Sequence, residues 1–131
     1  MLTGSSATVG RILFSVARSQ IAVTDIVRGG LAPGVVTVAD SVNGHYFLGN
    51  DGNVFFEVIN SGAPATLTLN SPLEVDDLGL SELVIDIPAG TTLAGNFKRR
   101  TFNQSTDGTV WVDPSSSGTM EIRAFRATPA N

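Results

Sequence analysis

Short runs of β-branched and aromatic residues, parted by turn residues at intervals of about ten, run through most of this chain. This spacing constrains the fold most strongly. Strands so short gain little alone and must stack face to face in a sandwich or close into a barrel. Residues 20–27 alternate through Ile21, Val23 and Thr24 before Arg28-Gly29-Gly30 interrupts them. Residues 35–39 follow a turn at Pro33-Gly34, and residues 44–48 lead into Asn50-Asp51-Gly52-Asn53. Asp51-Gly52 is the strongest hairpin signal, because Asp and Gly tolerate the positive φ of a tight turn. Phe47 and Leu48 before it are therefore expected to pair with Val54, Phe55 and Phe56 after it.

Further along, Ser61-Gly62-Ala63-Pro64 closes the strand expected over 54–60. Residues 65–70 place Leu67 and Leu69 on one face and Thr66 and Thr68 on the other. Residues 83–87 turn Leu83, Ile85 and Ile87 inward, with Val84 and Asp86 outward. Pro88-Ala89-Gly90 stops that strand, since proline has no donor for a ladder. Residues 91–97, 109–113 and 119–127 complete the set, and 71–79 is expected as a surface loop. The one stretch with helical spacing is 7–20, through Val9, Leu13, Val16 and Ala17. Ile12 and Phe14 spoil its stripe and Gly10 weakens it, so a first strand or an arm competes with a helix.

The expected fold class is thus all-β: a single antiparallel β-sandwich, jelly-roll-like, with an N-terminal arm. A chain of 131 residues fits one domain. Its expected division is an arm or first strand over 1–20, the sandwich over 21–127 and a tail over 128–131.

The chain contains no cysteine, which excludes disulfides, thiolate metal sites and cysteine nucleophiles. Its net charge of −4 argues against nucleic-acid binding, which relies on a basic stripe that displaces counterions from phosphates. The one basic cluster, Lys98-Arg99-Arg100, reads as a solvated loop or a local salt-bridge partner. No membrane partner is expected: the apolar stretch at 12–17, between Arg11 and Arg18, is far shorter than the ~20 residues a spanning helix needs. The first residues, Met1-Leu2-Thr3-Gly4-Ser5-Ser6, lack the form of a signal peptide. Charged residues are only 15% of the chain and hydrophobic ones 42%. Few charges on a small domain leave much weakly polar surface, which suits coverage by a partner.

No catalytic, cofactor-binding or metal-binding residue is expected. His45, the single histidine, sits among strand residues and reads as a packing or edge hydrogen-bonding group; zinc is implausible without cysteine or a second histidine. Glu74, Asp76 and Asp77 do not meet the spacing of a calcium loop, and Asn50-Asp51-Gly52-Asn53 reads better as a turn. Glu57 and Asp86 lie on strands and read as outward carboxylates on a solvated face. There is no phosphate-cradling loop, nucleophile elbow or dinucleotide fingerprint.

Interface candidates are easier to find. Trp111 alternates with Val110 and Val112, so it should face away from them, as a sugar platform or an interface anchor; the reversed assignment puts it in the core. Phe55-Phe56 and Val58-Ile59 make both faces of one strand apolar. Such a strand is expected to be covered on both sides, by the second sheet and by an arm or neighbouring subunit. Phe55, Ile59, Trp111, Lys98, Arg99 and Arg100 are the expected interface residues.

The middle and C-terminal parts resemble a family of small proteins encoded in the structural gene clusters of tailed phages and prophages. The matching pattern is Gly49-Asn50-Asp51-Gly52 followed by Phe55-Phe56-Glu57-Val58-Ile59-Asn60, then residues 65–69, then 83–87 with Pro88-Ala89-Gly90. Phe97, Phe102-Asn103, Asp107-Gly108-Thr109-Val110 and Ile122-Arg123-Ala124-Phe125-Arg126 complete it, over roughly residues 45 to 127. Residues 1–44 carry little of the pattern. The resemblance implies a β-sandwich made in the host cytoplasm and located on the virion, commonly as a head decoration or cement protein. It implies the major capsid protein as partner and a homotrimer as the self-associated form. It implies no catalytic residues.

Overall fold

A computed structural model of the chain describes residues 18–27, 29, 34–72, 74, 75, 78, 79 and 82–127. Its strands are β1 (Ser19–Gln20), β2 (Val23–Asp25), β3 (Thr37–Val38), β4 (His45–Phe47), β5 (Val54–Asn60) and β6 (Ala65–Leu69). They continue with β7 (Glu74–Val75), β8 (Leu78–Gly79), β9 (Leu83–Ile87), β10 (Gly90–Gly95), β11 (Val110–Pro114) and β12 (Met120–Arg126). One short helix, α1 (Arg99–Phe102), lies between β10 and β11. The first sheet has the order β9-β6-β11-β4-β1. The second runs β10-β5-β12, with β2 and β3 both paired to the far side of β12. A small β7–β8 pair interrupts the stretch expected as a loop.

The result is the all-β sandwich expected from the spacing. Period-two burial creates its core: along β5, Val54, Phe56, Val58 and Asn60 are buried while Phe55, Glu57 and Ile59 are half-exposed. Facing them are Leu67 and Leu69 of β6 and Val110 and Val112 of β11. Phe47, Phe56 and Phe97 cluster at the centre, with Phe47 meeting Phe56 edge-on (5.3 Å, 82°). Such pairs add about 0.5–1.5 kcal/mol beyond the area they bury.

Two expectations need correction. The long strands pair antiparallel, but β1 joins β4 and β2 joins β12 in parallel, so both sheets are mixed. The stretch expected as one strand over 20–27 is two short ones in different sheets. Ile21, wholly buried between them, marks where the chain crosses the side of the sandwich.

The second correction concerns Asp51-Gly52, which does not close a hairpin. Phe47 pairs with Val110 in the first sheet, whereas β5 pairs with β10 and β12 in the second. The local turn chemistry is as read: Gly52 has φ 91°, its N–H donates to Asn50 Oδ1 (3.2 Å), and Asn53 N–H donates to Asp51 Oδ1 (3.0 Å). The buried Asn50 then donates from Nδ2 to Asn103 Oδ1 at 2.8 Å, tying the crossing to the segment after α1. Phe47 and Phe56 thus meet across the core instead of lying side by side in a ladder.

Candidate functional site

The six expected interface residues fall on three separate parts of the molecule. Phe55 and Ile59 lie on the outer face of the second sheet, Trp111 on the outer face of the first, and Lys98, Arg99 and Arg100 on the β10–β11 connection.

The outer face of the second sheet is built in rows by its register. One row runs Gly95, Phe55 and Phe125; the next Leu93, Glu57 and Arg123; the third Thr91, Ile59, Glu121 and Val38. Phe55 stacks on Phe125, with centroids 5.4 Å apart. Arg123 Nη1 reaches Glu57 Oε1 at 3.3 Å, a half-exposed pair worth well under 1 kcal/mol. Arg123 Nε is buried without a hydrogen-bond partner among the described residues. Leu93 (68% exposed) and Val38 (51%) present bare aliphatic surface at either side of this face. Sequence reasoning found Phe55 and Ile59 from their two-faced strand but missed Leu93, Phe125 and Val38. None lies in a run whose pattern marks it as outward, and only register brings them to one face.

A shallow groove of about 360 Å³ opens at the β10 side, lined in part by Phe55, Leu93, Gly95, Asn96 and Ala127. Gly95 is required here because a Cβ would come within 2.6 Å of Phe55 Cβ. Asn96 turns the chain out of β10 with φ 63°, a left-handed conformation that Asn tolerates better than most residues.

Trp111 faces outward, as alternation requires, between the buried Val110 and Val112. Its ring is already engaged: the Arg18 guanidinium lies 4.5 Å from the ring centroid. Arg18 also reaches Asp113 Oδ1 (2.8 Å) and donates to the carbonyl of His45 (3.1 Å). A sugar stacking on the face under Arg18 has to displace this cation.

Beside Arg18, His45 is buried, and its hydrogen bonds define its tautomer. Asp40 N–H can only donate, so Nε2 accepts from it at 3.0 Å. In the neutral ring Nδ1 therefore carries the proton and donates to Ser19 Oγ at 2.8 Å. Burial pushes the histidine pKa below its ordinary value, against the opposing pull of Ser19 and the Asp40 and Asp113 carboxylates. An imidazole held this way cannot take a proton from Ser19. It fastens β1 to β4, which is the edge hydrogen-bonding role read from the sequence.

The basic triplet is displayed by its neighbours. Phe97 is buried and Phe102 meets it edge-on at 6.3 Å, so the two phenylalanines pin the turn and leave Lys98, Arg99 and Arg100 exposed. The ion pairs among the described residues are Arg18–Asp113, Arg123–Glu57 and Arg126–Asp25, none of which involves the triplet. The described residues include no group of three or more metal-ligating side chains. Of the acidic run at 74–77, Asp76 and Asp77 lie outside the described residues. No described helix is long and apolar enough to cross a membrane.

Compared with protein-family models, with curated proteins and with solved structures, the chain has no match.

Proposed function

We propose that this chain is a phage virion structural protein, a capsid decoration or cement protein that stabilises the head by bridging major capsid subunits. The observation that carries the reading is the outer face of the second sheet, where Phe55, Phe125, Leu93, Ile59 and Val38 flank a single ion pair. Apolar side chains gathered on one outer sheet face of a small domain support a reading in which another protein sits there. A rigid sandwich with few charges suits a part that must lie flat against a lattice. We read the strand wiring as jelly-roll-like, an architecture that recurs in capsid and lectin domains, and this fold-level analogy adds modest support.

The reading is tested on particles. Purified virions from the chain's source are expected to contain it, and shells lacking it are expected to rupture at lower temperature until purified chain is added back. A Phe55→Asp chain should bind those shells at least tenfold more weakly. Its absence from purified virions, or shells indifferent to its addition, would falsify the proposal. The other reading open from the sequence, a carbohydrate- or receptor-binding module, draws no support from Trp111, whose ring carries Arg18.

A further inference from the structure

The edge strands of the two sheets differ in how well they resist a further strand. On one side β1, β2 and β3 are only two or three residues long. On the other, β9 carries the exposed Asp86. Shortness and charge are the usual means of blunting an edge, together with proline and bulges. β10 has none of these. It is six residues long, Gly-Thr-Thr-Leu-Ala-Gly, and pairs with β5 in unbroken register. Among the described residues it has that one neighbour within the second sheet.

We propose that β10 pairs with β10 of a second copy of this chain, antiparallel about a two-fold axis perpendicular to the sheet. Such an axis keeps the outer faces of both copies on the same side, so outward residues must meet outward residues. The outward positions of β10 are Thr91, Leu93 and Gly95, centred on Leu93. Leu93 then lies opposite its own copy, Thr91 opposite Gly95, and Thr92 opposite Ala94. The largest exposed side chain of the strand sits on the axis, and the bulkier Thr91 meets the bare Gly95. The partner's Leu93 and Thr91 come to the groove beside Phe55, Gly95 and Ala127. Charge agrees with the direction: the exposed Lys98, Arg99 and Arg100 follow β10, and the exposed Asp86 precedes it. Antiparallel pairing brings the basic end of each copy alongside the acidic end of the other. The two second sheets join into one, and their apolar outer faces become a single wide surface.

This goes beyond the proposed function and specifies a two-fold dimer in place of the homotrimer that the resemblance implies. It is read on the isolated chain, so its failure is separate from a failure to bind shells. Light scattering of the full chain is expected to give twice the 13.6 kDa chain mass. Leu93→Lys, which places like charges on the axis, and Leu93→Glu should each be monomeric with unchanged circular dichroism, and an equimolar mixture should recover the dimer. Leu93→Cys, in a chain with no cysteine, should give a disulfide-linked dimer on mild oxidation. Directly paired Cα atoms lie about 4.5–5.5 Å apart, within reach of a disulfide. Val42→Cys, at a residue 85% exposed away from this edge, should form no disulfide-linked dimer under the same oxidation. A wild-type chain that stays monomeric at every concentration, a trimeric mass, or a dimer that Leu93→Lys leaves intact overturns the pairing.

Discussion

At the scale of single residues, the best-defined chemistry among the described residues is a buried histidine with both ring nitrogens hydrogen-bonded. Protonating His45 puts a second N–H against the Asp40 N–H that Nε2 now accepts. Its folded pKa lies below the ordinary 6.5, so the unfolded chain binds the proton more readily. The contribution of neutral His45 is therefore complete above about pH 6.5 and declines as pH falls through that value towards the folded pKa. Urea denaturation is expected to show lower stability at about pH 5.5 than at about pH 7.5, with His45→Gln removing this part of the dependence. The variant should itself cost about 1–3 kcal/mol through the unmatched Ser19 and Asp40 groups. An identical slope in both proteins rules out the assigned tautomer. Asp25, Asp40 and Asp107 titrate lower, because hydrogen bonds from Arg126, Asn43 and Thr109 respectively hold their carboxyls below the usual range.

Among the elements, β10 and its exit are the most constrained by backbone geometry. Gly95 lies under Phe55, and a methyl group there meets a Cβ that cannot swing away. Gly95→Ala is expected to destabilise by about 1–3 kcal/mol, as overpacking does. Asn96→Gly should be neutral, whereas Asn96→Val should cost about 1–2 kcal/mol for the left-handed backbone. Thermal melts of the three variants check both statements, and a harmless Gly95→Ala refutes the close approach. The sequence revealed β5 and β9 with their observed limits, because turn residues bracket β5 and because β9 alternates along its length and ends at Pro88. β3 falls within the run read at 35–39, but its two-residue limits were not legible, nor were those of β1, since so short a run carries no period. Of the outer face of the second sheet, Phe55 and Ile59 were legible from two adjacent apolar pairs. Leu93, Phe125 and Val38 were not, for the same lack of a local pattern.

For the whole molecule, closure of the sandwich at its sides matters most. On one side the chain passes from β9 to β10 through Pro88-Ala89; on the other it passes from β1 to β2 through Ile21. Ile21 is wholly buried, and its N–H donates to the Tyr46 carbonyl at 2.8 Å. Ile21→Ala is expected to cost about 2–5 kcal/mol. Amide exchange should accelerate together at residues 19–25 while β5 stays protected, because one side chain anchors both edge strands. Uniform acceleration throughout the chain contradicts that local role. By itself the sequence determined an all-β chain, most of its strands and the alternation of β6 and β9, because these follow from a period of two and from local turn chemistry. Only the tertiary structure decided which strands pair, that the Asp51-Gly52 turn crosses between sheets, that Arg18 lies on Trp111, and that Leu93 stands on a strand with one neighbour among the described residues. Those outcomes depend on contacts between residues distant in the chain, and the gain from burying Phe47 against Phe56 appears only once both sheets are in place.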